Sequence, residues 1–236
     1  MPYKKSIARV EFEEIVNEFK GQIKYACLKK NGLRNDIQQC VLRNSVFQTS
    51  AALEVFIKDL FSDWVHLLGQ KGKTVKEIPE SLFFWTLAKA QKDAFGAYTY
   101  QKDEEKLIKQ LSCNNRLGKL RESNTRIGDV MNITENVSDK KYPSLKNINH
   151  VFIRFGIDNI FHVMHVKGRK DYKKLLESFS DVRTAIAHEH PTPTLVFKDI
   201  KNHLDSMIEL VAMLDRIMWS HVVKHSGSDC WKISRL

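Results

Sequence analysis

Arg183 and His188 are the two residues of this chain whose types and spacing best suit chemistry on a phosphate group. Arginine carries a permanent planar cation that grips phosphate oxygens through two parallel hydrogen bonds. Histidine is the side chain best suited to proton transfer near neutral pH. The pair is therefore compatible with attack of an RNA 2′-hydroxyl on the adjacent phosphate, in which the imidazole moves a proton and the guanidinium stabilises the developing charge. This reaction requires no metal ion and no cofactor.

The pair lies at the end of an amphipathic run that predicts a helix over about residues 169–189. Apolar residues recur there at spacings of three and four, which places them on one helical face: Tyr172, Leu175, Leu176, Phe179, Val182 and Ile186. Arg183 falls inside this apolar arc, where a cation is costly unless it is paired. Its partner is either a structural carboxylate, such as Glu54, or a phosphate ligand. Pro191 and Pro193 end the helix.

Five positions along an ideal helix correspond to a rotation of about 140°, so Arg183 and His188 diverge. Two explanations reconcile this divergence with a shared site. Either the last turn of the helix is distorted, or the pair is completed by a second subunit. A homodimer with twofold symmetry would bring each motif close to its partner and would also cover the motif face.

The remaining sequence predicts an all-α bundle of about seven to nine helices, folded as a single domain over residues 1–236 with a polar loop or insertion at about 122–145. We expect the core to contain Leu53, Phe56, Leu60, Leu175, Phe179, Val182 and Ile186. The other helices are predicted at about 6–28, 36–68, 81–95, 103–121, 145–155, 157–165 and 196–225. The buried side of the first is expected to carry Val10, Phe12, Ile15, Val16, Phe19, Ile23 and Ala26.

The composition indicates a globular protein with an anionic partner. Formal net charge is +10, and 42% of residues are hydrophobic. Such a charge favours nucleic acid over acidic proteins and anionic membrane surfaces, although a merely solubilising surface is the alternative. No apolar stretch is long enough to span a membrane. The four cysteines show no zinc spacing. So few cysteines in a chain of this size favour a reducing cytoplasmic location.

A run of basic residues precedes and begins the motif helix: Lys167, Arg169, Lys170, Lys173 and Lys174. Its default interpretation is a solvated face, and the alternative is an RNA-backbone contact whose affinity falls steeply with salt. His162 and His165 lie nearby, but no acidic or thiol partner accompanies them, so no metal site is predicted. The chain has no Gly-rich phosphate loop and no basic helix-turn-helix, which disfavours a nucleotide-triphosphate enzyme and a DNA-binding regulator.

Three segments in order resemble the HEPN (higher eukaryotes and prokaryotes nucleotide-binding) superfamily, and its RiboL-PSP/MAE branch in particular. They are Arg183 to His188, the early core segment 50–60, and residues 149–157 before the motif helix. The resemblance implies an all-α ribonuclease that works without metal, usually as a homodimer. It assigns catalysis to Arg183 and His188, and we consider Thr184, Glu54 and His190 as supporting residues.

The resemblance also implies a toxin–antitoxin or antiphage defence context, with RNA as substrate and an antitoxin or regulatory protein as a second partner. Thr184 stands directly after the arginine, where many active members carry Asn, Asp or His. The alternative interpretation is therefore a non-catalytic HEPN-like module that binds RNA or protein.

Overall fold

The computed structural model describes residues 2–120, 122, 124–131, 143–189 and 193–235. This part of the chain holds nine α-helices and no β-strand beyond an isolated bridge, which confirms the prediction of an all-α bundle. The helices are α1 (Ile7–Cys27), α2 (Asn35–Gln70), α3 (Glu80–Gln101), α4 (Glu104–Ser112), α5 (Asn115–Leu120), α6 (Leu145–Arg154), α7 (Ile160–Gly168), α8 (Tyr172–His188) and α9 (Phe197–Ser226). None of them is long and apolar enough to cross a membrane.

Two long helices, α2 and α9, form the centre of the bundle, and α1 and α8 pack against both. The second half of α2 is apolar on nearly every side, so it is surrounded by other elements. Leu53, Phe56 and Leu60 are buried there as predicted, as are Phe179 and Ile186 of α8. Full burial of each such side chain contributes about 1.5–3 kcal/mol. The other two predicted core residues, Leu175 and Val182, are partly buried and pack against the same cluster.

Two predicted features differ from the structure. The helix expected over 103–121 is divided into α4 and α5, because Asn114 lies between them and its Oδ1 accepts a hydrogen bond from the Leu117 amide at 3.2 Å. Asparagine is favoured at such a cap because its side chain satisfies a free amide. Ile15 was expected on the buried side of α1 but is 38% exposed, because it lies at the edge of the arc that carries Phe12 and Val16.

The described part of the polar segment 122–145 is anchored to the loop after α2. The Ile127 amide donates to the Lys73 carbonyl at 2.9 Å, and the Val75 amide donates to the Thr125 carbonyl at 3.1 Å. Ile127 begins a short 3-10 turn and is fully buried. This segment therefore contributes to the core although its composition suggested a solvent-exposed loop; its central part lies outside the described residues.

The start of the chain is fixed to α9 by a buried carboxylate. Asp215 is fully buried and accepts hydrogen bonds from the hydroxyls of Tyr3 and Ser6. Burial raises the pKa of the Asp215 carboxyl, and these donors partly offset that rise. The indole of Trp231 donates to the Lys4 carbonyl at 2.9 Å. Residues from both ends of the described chain thus meet on one side of the bundle.

His221 on α9 should make stability depend on pH. Its Nε2 donates to the Phe155 carbonyl at 2.8 Å, and its ring contacts Trp64 edge-on. Burial, followed by the positive charge of nearby His225, lowers the pKa of His221 to about 4. The unfolded state takes up a proton near pH 6.5, whereas the folded state does so only near pH 4. Stability is therefore lost as pH falls through this window.

The loss between pH 7 and pH 5 is about 2 kcal/mol for this one group. We expect His221→Gln to remove that part of the pH dependence, measured as the free energy of urea unfolding at pH 7 and pH 5. Ser220→Ala, an exposed neighbour on the same helix, is the matched control. A His221→Gln variant with the same pH dependence as the control would contradict this assignment.

Candidate functional site

Arg183 is half-buried on α8 and is held against α2. Its guanidinium carbon lies 5.8 Å from the centroid of the Phe47 ring. A cation over an aromatic face is stabilised by the ring quadrupole, by about 0.5–1 kcal/mol where solvent has access. This contact positions the guanidinium group of Arg183 against α2.

A second arginine, Arg43, lies one helical turn before Phe47. Residues four apart on a helix are neighbours, with about 5–6 Å between Cβ atoms. The Nε atom of Arg43 is buried and has no hydrogen-bond partner in the part of the chain that the structure describes. A buried donor of this kind costs about 1–3 kcal/mol unless a ligand or water satisfies it. The α2 face that holds Arg183 thus also carries a donor that no described residue satisfies.

The segment that follows the motif helix is tied to the same face of α2. Gln39, one turn before Arg43, makes two hydrogen bonds with the backbone of Leu195. Its amide nitrogen donates to the Leu195 carbonyl at 2.9 Å, and its oxygen accepts from the Leu195 amide at 2.8 Å. Because Gln39 is buried, these bonds fix where the chain returns after α8.

His188 is the last residue of α8, and its side chain is exposed. The final turn is regular, since the Glu189 amide donates to the Ala185 carbonyl at 2.9 Å. The helix therefore keeps Arg183 and His188 about 140° apart. Of the two explanations given above, a distorted last turn is wrong, and completion by a second subunit stays a hypothesis.

The three residues predicted to support the motif, Thr184, Glu54 and His190, lie in different parts of the chain. Thr184 is exposed on α8, next to Arg183. Glu54 is half-buried on α2, and its role as a supporting residue stays a prediction. His190 lies outside the described residues.

The basic cluster does not adjoin the motif. Only Lys173 and Lys174 belong to α8, at its first turn. Lys167 lies in the last turn of α7, and Arg169 and Lys170 lie between the two helices. Fourteen residues separate Lys174 from His188, which corresponds to about 21 Å along the helix. A single phosphate cannot contact both groups.

Two members of the cluster are paired with carboxylates. Lys170 forms an ion pair with Glu209, and Lys173 lies 3.7 Å from Glu177. The part of the chain that the structure describes offers no ion-pair partner to the remaining three: Lys167, Arg169 and Lys174. Three of the five basic side chains are therefore available to an anionic ligand.

The residues on α2 that position the motif were missed by the sequence analysis. Gln39, Arg43 and Phe47 follow one another at intervals of four, and that spacing predicts a shared helical face. An amide, a cation and an aromatic ring on one helical face are unusual for a purely apolar buried face. This combination could have identified these residues as part of the site. In the described ranges, no group of three or more His, Cys, Asp or Glu side chains could hold a metal ion.

The fold and the motif agree with one known family. The chain matches the family model RiboL-PSP-HEPN over residues 10–220 and therefore belongs to the RiboL-PSP-HEPN family. No curated protein and no solved structure matches it. Membership agrees with the all-helical bundle and indicates an RNA-related module.

Proposed function

We propose that this protein is an endoribonuclease that cleaves RNA without a metal ion. The observation that supports it best is the arrangement at the end of α8. The guanidinium group of Arg183 is held on the Phe47 ring, and His188 is exposed to solvent at the end of the same helix. Family membership supports RNA as the substrate class.

In the proposed reaction, the 2′-oxygen of one nucleotide attacks the adjacent phosphorus and the bond from phosphorus to the 5′-oxygen breaks. His188 transfers the proton that this exchange requires. Arg183 binds two phosphate oxygens and stabilises the charge that develops on them. The products are a 2′,3′-cyclic phosphate, which water opens to a 3′-phosphate, and a 5′-hydroxyl.

Arg43 is a candidate for a second phosphate contact. Its buried Nε lacks a partner among the described residues, and its place one turn from Phe47 puts it on the face that holds Arg183. Two guanidinium groups near one phosphorane would share the charge of the transition state. Thr184 and His190 stay in the proposal as neighbours of the motif.

The wider proposal follows from the same family resemblance. The protein acts as a homodimer in the cytoplasm, within a toxin–antitoxin or antiphage defence system, and an antitoxin or regulatory protein controls it. The second candidate function is a non-catalytic module that binds RNA or protein, which Thr184 after the arginine favours.

The test is cleavage of a labelled single-stranded RNA in the presence of EDTA. We expect cleavage with a 2′,3′-cyclic or 3′-phosphate end. We also expect DNA, and RNA carrying 2′-O-methyl groups at the cut sites, to resist because the internal nucleophile is missing. Equal cleavage of modified and unmodified RNA would rule out the proposed chemistry. Binding without cleavage would favour the non-catalytic module.

A further inference from the structure

A cavity of about 510 Å³ opens where the N-terminal ends of three helices meet. Lys146 lies in the first turn of α6, Asn159 is the N-cap of α7, and Asp171 is the N-cap of α8. The lining is completed by Leu145, Asn149, Phe161, His162, His165 and Lys173. We call this cavity the α6–α8 pocket.

The electrostatics of the α6–α8 pocket favour an anion. Each helix carries a partial positive charge at its N-terminus, where backbone amides have no partner inside the helix. Three such ends converge here, and two lysine side chains, Lys146 and Lys173, line the same space. The three helix ends and Lys146 favour an anion, whereas Asp171 and the pairing of Lys173 with Glu177 reduce the positive charge.

Three acceptor oxygens in the lining of the pocket are occupied by backbone amides. Oδ1 of Asn149 accepts from the Ile160 amide at 3.2 Å, and Oδ1 of Asn159 accepts from the His162 amide at 3.3 Å. Oδ1 of the lining carboxylate, Asp171, accepts from the Lys174 amide at 2.9 Å.

The polar groups of the α6–α8 pocket that remain available to a ligand are mainly hydrogen-bond donors. The NH₂ groups of the two asparagines and the ammonium group of Lys146 have no hydrogen-bond or ion-pair partner in the described ranges. Two features oppose an anion: the second oxygen of Asp171, and Glu177, which lies 3.7 Å from Lys173. A ligand rich in acceptors, such as a phosphate group, complements this lining.

We propose that the α6–α8 pocket binds a backbone phosphate of the RNA strand, several nucleotides from the position that is cut. An RNA strand fits better than a free nucleotide, because Arg169 and Lys174 lie within two positions of the lining residues Asp171 and Lys173 and can follow the backbone beyond the pocket. Neither cation has an ion-pair partner among the described residues. The half-buried ring of Phe161 offers an apolar contact to the attached ribose or base. The identity of the strand rests on the proposed function, whereas the phosphate chemistry of the pocket does not.

The experiment measures binding by the full-length His188→Ala protein, which should hold RNA without cutting it, using the fluorescence anisotropy of a labelled single-stranded RNA. Asn159→Asp is the sharpest variant, because aspartate keeps the cap and tolerates the left-handed backbone at φ 47° but adds a negative charge. Lys146→Gln removes one cation. The matched control is Lys24→Gln, which removes an exposed lysine from α1.

We expect Asn159→Asp to weaken RNA binding about tenfold or more. Lys146→Gln should weaken it about three- to tenfold and, because one cation is lost, should also make the slope of log K against log salt shallower by about 0.7. The control should change neither. Equal binding by Lys146→Gln, Asn159→Asp and the control would overturn the proposal. Inorganic phosphate and AMP are titrated as further probes. If AMP binds at the pocket as tightly as RNA does, the ligand is a free nucleotide and the proposal is also overturned. If the unaltered protein fails to cut RNA but the two variants still weaken binding, the pocket stands and the proposed nuclease function fails.

Discussion

His188→Ala should reduce RNA cleavage about 10²–10⁴-fold, the usual effect of removing one general acid or base. The side chain is exposed at the end of α8, so its loss removes no core contact. Folding should be unchanged, as measured by circular dichroism and thermal unfolding. His66→Ala, at an exposed histidine of α2, is the matched control and should cleave at the wild-type rate. Wild-type cleavage by His188→Ala would assign the proton transfer to another residue.

Arg183→Lys tests the other half of the motif while keeping the positive charge. A lysine ammonium is a point charge and cannot reproduce the planar two-bond grip on phosphate. We expect cleavage to be nearly lost, with RNA binding weakened much less than catalysis. Comparable turnover with lysine at this position would show that charge alone suffices and that the planar geometry is unnecessary.

Mixing two inactive variants should restore cleavage if Arg183 and His188 act across a homodimer. Arg183→Ala and His188→Ala subunits are each inactive alone, but a mixed dimer contains one site with both an intact arginine and an intact histidine. An equal mixture that exchanges subunits freely should recover about a quarter of wild-type activity under this twofold arrangement.

The control is the double variant Arg183→Ala/His188→Ala mixed with either single variant, which cannot form an intact site. Subunit exchange is verified separately with differently tagged copies. Exchange without recovered cleavage would show that both residues serve the same site from one chain. A protein that is monomeric by light scattering and still cleaves RNA would reject the dimer altogether.

The helices were predictable because their apolar residues repeat with the helical period, as the run from Tyr172 to Ile186 shows. The ends of the helices were predictable to within a few residues, except where a single side chain determines where a helix stops or continues. Asn114 divides the predicted fourth helix, and α3 continues past Gly96 to Gln101. The burial of Ile127 was not predictable, because it depends on backbone hydrogen bonds to Lys73 that local composition does not encode.

The candidate site was predictable only as a motif. Arg183 and His188 are close in the sequence, whereas Phe47 and Gln39 contact residues more than a hundred positions away. Such contacts follow from how α2 and α8 pack, and helical periodicity specifies the buried face but not the partner helix.

The bonds that join the two ends of the described chain also set the order in which the protein can be completed during translation. The carboxylate of Asp215 anchors Tyr3 and Ser6, and the Ile7 amide donates to the Lys232 carbonyl at 3.0 Å. Tyr3, Ser6 and Ile7 therefore leave the ribosome well before their hydrogen-bond partners, Asp215 and Lys232, are made. Contacts so distant in sequence are closed late and at an entropic cost. A chain interrupted before Asp215 carries the whole Arg183–His188 motif but lacks the last twelve residues of α9 and this anchor, so the bundle is completed only after α9 has been made.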